Sequence, residues 1–337
     1  ASSSKRSIYE ASTQYRHWRF SPEDLAHTRA SLNTAAVSLI RDAFEADEAR
    51  SSANVSFLNA DEESLLVKLY LTKIPQLCSL FQFPEEVEAT AMTYLKRFYL
   101  KNTVMDWHPK NVMLTALFLA TKTTNHPIPV ATYTSRIPKT QPSDVLDLEF
   151  LVAQSLGFDF AVWHAHRALW GSALDVQVLP DITSAEVRRV HQIALNYVHA
   201  SRLTDAEFIY TPAQIALASL SMVSAPLAEI WARRTYADKA DLLLAVLEPI
   251  KTMISTHGQA PDVEAVRNVD RRLKLCKNPE KVVGSRAYMK KQEEAEQRAS
   301  EKRKRKAAAA RKAMEEGDPF GSELAGDVGI EDDDDDD

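Results

Sequence analysis

The chain has 337 residues, 45% of them hydrophobic, with a net charge of −6, only 8 glycines and two cysteines. That is apolar material for one large domain or two ordinary ones, while the shortage of glycine argues against turn-rich β architectures and glycine-loop phosphate sites. Two cysteines exclude a zinc ribbon or RING module, and no apolar run has the length of a membrane span.

The opening segment, polar to about Tyr15, lacks the apolar core of a signal peptide. Ser21-Pro22-Glu23-Asp24 starts a helix: serine caps, proline suits the first turn, and acids favour the positive helix end. It runs to about Ala49 and breaks over residues 50–54. Residues 61–80 carry Leu65, Leu66, Leu69 and Leu77 on one stripe, and residues 84–101 place Val87, Ala91, Leu95 and Phe98 at spacings of three and four. Pro109 opens a helix to about Lys122 that is apolar nearly all round, the mark of a buried central helix. A proline-rich loop, Asn125–Pro142, leads to a helix capped by Ser143-Asp144 and ending near Leu156. The style then repeats over residues 160–257. Thr183 to Glu186 reads as a capping box, Thr211-Pro212 opens a second small-residue apolar helix, and residues 238–257 form one more amphipathic helix. From about 284 to 316 the pattern is charged and alanine-rich, a long solvated helix. Everything beyond reads as a disordered acidic tail.

Charge is segregated at this end. Glu331–Asp337 are all acidic, Lys302-Arg303-Lys304-Arg305-Lys306 all basic, and without the acidic seven the rest of the chain carries about +1. Such a near-neutral core is not that of a nucleic-acid reader. Cys78 and Cys276 lie among apolar or helical neighbours and read as reduced, buried thiols of an intracellular protein.

An internal repeat emerges at an offset of 103 residues: Tyr94 meets Tyr197, Leu100 meets Leu203, Pro109 meets Pro212, Leu114 meets Leu217 and Leu117 meets Leu220. In both copies a helix, a polar-aromatic link (Trp107, Tyr210) and a proline precede a buried helix whose small residues permit close packing. The pattern predicts a duplicated unit of about five helices burying a shared core.

Several segments resemble the cyclin family. Tyr94–Leu100 resembles the third helix of a cyclin box; Leu114–Lys122 resembles the fourth, ending in the family lysine; Leu148–Phe160 resembles the fifth, with the family glutamate at Glu149. Arg16–Ser21, Lys96–Asn102 and Asp205–Leu217 resemble the cyclin H branch. The resemblance spans roughly residues 14–275. It implies an all-α fold: two tandem five-helix cyclin boxes, additional N- and C-terminal helices, and a disordered acidic tail. The implied divisions are 1–55 (extension and helix), 56–160 (first, kinase-binding box), 161–260 (second box), 261–316 (basic C-terminal helices) and 317–337 (tail). The chain departs from cell-cycle cyclins in two ways. No arginine lies between Asp61 and Ile74, and Lys96 stands where they carry aspartate. Their docking patch for short Arg-x-Leu motifs is thus absent, which fits a transcription-type cyclin. Thr124 and Asn125 replace the usual acidic pair after Lys122.

The resemblance further implies a regulatory subunit with no catalytic residue, cofactor or metal of its own. It would bind a cyclin-dependent kinase, the catalytic subunit of the CDK-activating kinase, and a RING-finger assembly factor, and through them core TFIIH. Activated, that kinase phosphorylates the RNA polymerase II tail and the activation loops of other kinases. Lys122 and Glu149 would centre the kinase contact, the lysine donating to backbone carbonyls and the glutamate orienting it. Leu119, Phe150, Phe158 and Phe160 would supply apolar anchors. In the second copy Ala225 and Thr252 fall in the lysine and glutamate slots, so the charge pair is confined to the first box.

Other constellations carry less. His164 and His166 lack a third ligand and make a poor metal site. Lys302–Lys306 reads either as a nuclear localisation signal or as a solvated helix face supported by pairs such as Glu294 with Arg298. The rival reading is a TFIIB-like cyclin-fold nucleic-acid-binding factor. That class requires a zinc ribbon and a basic core, and neither is present.

Overall fold

The computed structural model describes residues 7–47, 50–178 and 182–315. Among them every regular element is helical. The acidic tail and the first six residues lie outside the described residues. Two compact units are present. One holds the residues up to Asp42 with Ser52–Lys277; the other holds Ala43–Ser51 with the residues from Asn278 on.

In chain order the helices are α1 (Thr13–His17), α2 (Pro22–Asp47), α3 (Ala60–Leu71), α4 (Ile74–Phe81), α5 (Glu85–Phe98), α6 (Pro109–Thr123), α7 (Val130–Ser135), α8 (Ser143–Leu146), α9 (Glu149–Ser155), α10 (Ala165–Gln177), α11 (Ser184–Ser201), α12 (Ala206–Ile209), α13 (Pro212–Val223), α14 (Ala225–Thr235), α15 (Ala240–His257), α16 (Val263–Cys276) and α17 (Arg286–Glu315). Several sequence expectations need correction. The stretch 61–80 is two helices, because the chain turns at Thr72-Lys73 and Pro75 restarts it in the first turn of α4. The proline-rich loop contains α7, started after Pro129. The last helix of the first box is broken at Asp147-Leu148 into α8 and α9. Counting α3/α4 and α8/α9 as broken single helices leaves five in the first box, with α5 second and α6 third rather than third and fourth. The second box has five in α10, α11, α13, α14 and α15. α1 arises where only a polar lead-in was expected, capped by the Ser12 hydroxyl accepting from the Tyr15 amide at 3.2 Å.

The repeat has a physical basis at the starts of α6 and α13. His108 and Thr211 occupy equivalent caps; Nδ1 of His108 accepts from the Lys110 amide, and Thr211 forms a reciprocal box with Gln214. Both helices are buried along most of their length.

Apolar and polar contacts both lie between the boxes. The second box buries its own apolar cluster, from Leu169 on α10 through Leu217 on α13 to Ile254 on α15. Between the boxes lies a polar seam. Arg202 donates to Glu85 at 2.6 Å and Glu88 at 3.0 Å, His199 pairs with Glu85 at 2.9 Å, and His164 meets Thr90 at 3.0 Å. Lys96, buried, donates to the carbonyls of Arg202 and Thr204 at 3.1 and 2.7 Å and lies 3.0 Å from Glu207. One small apolar cluster does span both boxes: Trp18, Leu25, Leu100 and Phe208. Cys78 and Cys276 are buried and unbridged, and burial pushes the Cys78 thiol up to about 12.

In the other unit, Asn278 caps a short turn at Pro279–Lys281 and Lys291 pairs with Glu280 at 2.7 Å. α17 then runs with its described side chains largely exposed.

Candidate functional site

Lys122 lies in the last turn of α6 and Glu149 in the first turn of α9. A cation at a helix C-terminus and an acid at a helix N-terminus each complement the local dipole. The two side chains form a direct ion pair, with the lysine 40% and the glutamate 21% exposed. The pair is therefore sheltered on one side and open on the other. The Lys122 ammonium also lies 4.8 Å from the centre of the Phe118 ring, one turn back on α6.

The end of α6 is fixed locally. The Thr124 hydroxyl donates to the Ala120 carbonyl at 2.7 Å, and Asn125 takes a left-handed conformation with φ of 67°. An asparagine tolerates that geometry and closes the helix. The residues that replace the family's acidic pair thus terminate the helix that carries Lys122.

Beside the pair stands an aromatic ridge. Phe150 is 69% exposed and Phe158 55% exposed; their ring centres lie 6.3 Å apart edge to face, and Phe158 meets Phe160 at 6.2 Å. Exposed rings in mutual contact form an apolar patch of the sort that marks an interaction surface. Phe158 sits at φ 58°, directly after Gly157 at φ 61°. Glycine adopts that region without cost, but a bulky side chain there is strained by about 1–3 kcal/mol. The turn thus directs the Phe158 ring outward at an energetic cost. Phe160 is half-buried and links ridge to core: its carbonyl accepts from the Tyr94 hydroxyl at 2.7 Å, and that hydroxyl lies 2.9 Å from Thr123 Oγ1. Leu119, expected as a further apolar anchor, is only 6% exposed and packs into the core of the first box.

Sequence reasoning passed over Asp159. Its carboxylate accepts from Trp18 Nε1 at 3.1 Å and lies 2.7 Å from His17 Nδ1, while its carbonyl accepts from Arg97 at 3.1 Å. The N-terminal segment is thereby tied to the turn that carries the ridge. An acid between two phenylalanines at the end of a helix was the available signal. His164 and His166 stack at 5.1 Å within the polar seam, and among the described residues no group of three or more His, Cys, Asp or Glu is arranged to hold a metal ion. Lys302–Lys306 are exposed on α17.

Comparison with known proteins finds relatives along most of the chain. The cyclin N-terminal domain model matches residues 40–161 and the cyclin C-terminal domain model matches residues 164–255. The chain is 32% identical to cyclin mcs2 of Schizosaccharomyces pombe over 300 residues, covering 86% of this chain and 91% of that protein. It is 30% identical to cyclin-H of Xenopus laevis, covering 81% and 88%. Among solved structures it is similar to a chain in the CAK complex from Chaetomium thermophilum bound to ATP-γ-S, with 29% identity, a TM-score of 0.76, and 87% and 95% of the two chains covered. A chain of the yeast TFIIK complex matches at 28% identity and a TM-score of 0.63, over 73% of this chain and 100% of that one.

Proposed function

The chain belongs to the cyclin family, and from that premise we propose that it is the cyclin H-like regulatory subunit of a CDK-activating kinase and acts by holding a cyclin-dependent kinase in its active arrangement. Similarity along most of the chain to cyclins of that type, and to chains of the CAK and TFIIK complexes, supports the reading. The observation that carries the site is the half-open Lys122–Glu149 pair beside the exposed Phe150–Phe158 ridge.

The physics is conformational selection. A kinase needs its mobile helix turned inward so that its glutamate pairs with the lysine that holds ATP. A partner drives that only by binding the inward state better. The Lys122 ammonium has donors beyond those engaged by Glu149 and offers them to backbone carbonyls at the end of the kinase helix. Glu149 keeps the ammonium in place and offers its second oxygen to backbone amides. Phe150 and Phe158 cover apolar surface on the same helix. The strain at Phe158 keeps that ring presented before the kinase arrives, reducing the ordering cost on binding. No chemical step belongs to this chain; phosphoryl transfer is the kinase's. A RING-finger assembly factor completes the complex, core TFIIH carries it, and the substrates are the RNA polymerase II tail and CDK activation loops. The exposed basic run Lys302–Lys306 directs the chain to the nucleus.

The test is co-purification with the catalytic subunit of the CDK-activating kinase, followed by a kinase assay on a polymerase-tail peptide. Stimulation by the intact chain is expected. A chain that binds no kinase and stimulates none contradicts the reading.

A further inference from the structure

We propose that Phe118 is a positioning residue for Lys122: its ring face holds the lysine ammonium in the place where it meets both Glu149 and the kinase. The inference rests on the kinase-binding reading above and extends it to a residue that lies beneath the face. Phe118 is 5% exposed, so it cannot serve as a surface anchor, yet its ring centre is 4.8 Å from the Lys122 ammonium. The spacing of four residues on one helix places the two side chains on the same face. A cation at that distance from a ring centre is drawn to the negative face of the π system.

The ring is itself held. Tyr133, from α7, is fully buried, donates its hydroxyl to the Leu114 carbonyl at 3.0 Å and lies 5.5 Å from Phe118. Phe81 stacks on the other side of Tyr133 at 5.1 Å, and Phe83 stacks on Phe81 at 5.2 Å. A row of rings from α4 through α7 therefore ends at the single lysine of the candidate face. Lys122 has four rotatable bonds and a compact, strongly hydrated head. An ion pair alone leaves such a head many geometries at a half-open site. The carboxylate on one helix and the ring on another turn of its own helix together define one.

The test is a double-mutant cycle in the full chain, with affinity for the catalytic subunit of the CDK-activating kinase as the readout. Phe118→Leu keeps apolar bulk and removes the π face; Phe118→Met serves as a second variant of similar volume, and circular dichroism confirms folding of each. Either change is expected to weaken binding by about three- to tenfold in the presence of Lys122. In a Lys122→Met background the same changes are expected to have no further effect, because Phe118 acts only through the lysine. Equal weakening in both backgrounds, or none in either, overturns the proposal while leaving the kinase-binding face intact. If Lys122→Met itself leaves affinity unchanged, the face fails and this inference fails with it.

Discussion

Arg202, at the end of α11, donates to Glu85, the first residue of α5, at 2.6 Å, and this contact fastens the second box to the first. The guanidinium is shared: its other nitrogen reaches Glu88 at 3.0 Å. These polar contacts act beside the small apolar cluster of Trp18, Leu25, Leu100 and Phe208 that also spans the boxes.

Replacing Arg202 by Met should therefore loosen the seam. The arginine side chain is buried, and its loss takes a charged partner from two acids. The expected loss is about 2–4 kcal/mol, read as a lower urea midpoint. A midpoint equal to that of the unmodified chain would show that the seam contributes little.

Lys96 makes a similar case with a built-in control. Lys96→Met strands two carbonyls and leaves Glu207 with the Thr93 hydroxyl but without its lysine, and is expected to cost about 2–4 kcal/mol. Adding Glu207→Gln, which removes the charge left without its lysine, should recover part of that loss. An additive, larger loss in the double variant contradicts the pairing.

The seam also sets a pH dependence. Burial, reinforced by Arg202 and Arg167 against the pull of Glu85, lowers His166 from 6.5 to about 4. His164, buried against Thr90 and beside His166, is pushed well below its ordinary value, chiefly by burial. Burial alone would raise Glu85, but the His199 hydrogen bond and the Arg202 and His166 charges overcome it and hold the carboxyl at about 2 instead of 4.5. In each case the unfolded chain binds the proton at a pH where the folded chain does not. The seam's contribution to stability is therefore fully present above pH 6.5, falls as pH drops below 6.5 through the histidines, between 6.5 and about 4 for His166, and falls further between 4.5 and 2 through Glu85. Urea unfolding across this range should give that profile, with a shallower upper arm in His166→Gln. An upper arm of unchanged slope in that variant would contradict the assignment.

Phe158 separates stability from binding. Phe158→Gly removes a bulky residue from a left-handed position and an exposed ring from the surface. The strain it relieves favours the fold, while the loss of the ring is expected to weaken kinase affinity about tenfold or more. Affinity equal to that of the unmodified chain would remove the ridge from the face.

Much of this architecture was legible in the residues. Prolines at the first turns of α6 and α13, and small apolar runs behind them, are local signals that tertiary packing reinforces, so the repeat and its buried helices could be read directly. The break at Thr72-Lys73 has a signal in Pro75, which the continuing hydrophobic spacing obscures, whereas no proline or glycine marks the break at Asp147-Leu148. Lys122 and Glu149 stand out only through resemblance to a family; as letters they are ordinary helix-surface charges, and the structure pairs them. Whether a ring faces water or the core is decided by neighbours distant in sequence. Spacing on α6 does not distinguish Phe118, whose ring lies against the lysine, from the other buried side chains of that helix. The polar seam leaves no local signal, since the partners of Arg202 lie 114 and 117 residues away.

The most direct test of the central claim is kinase stimulation by the Lys122→Ala/Glu149→Ala chain at limiting concentration. Both residues are partly exposed and their removal should leave the fold intact. Stimulation of the CDK-activating kinase catalytic subunit should fall at least tenfold and be restored only at high concentration. Stimulation indistinguishable from that of the unmodified chain would place the kinase contact elsewhere on the molecule.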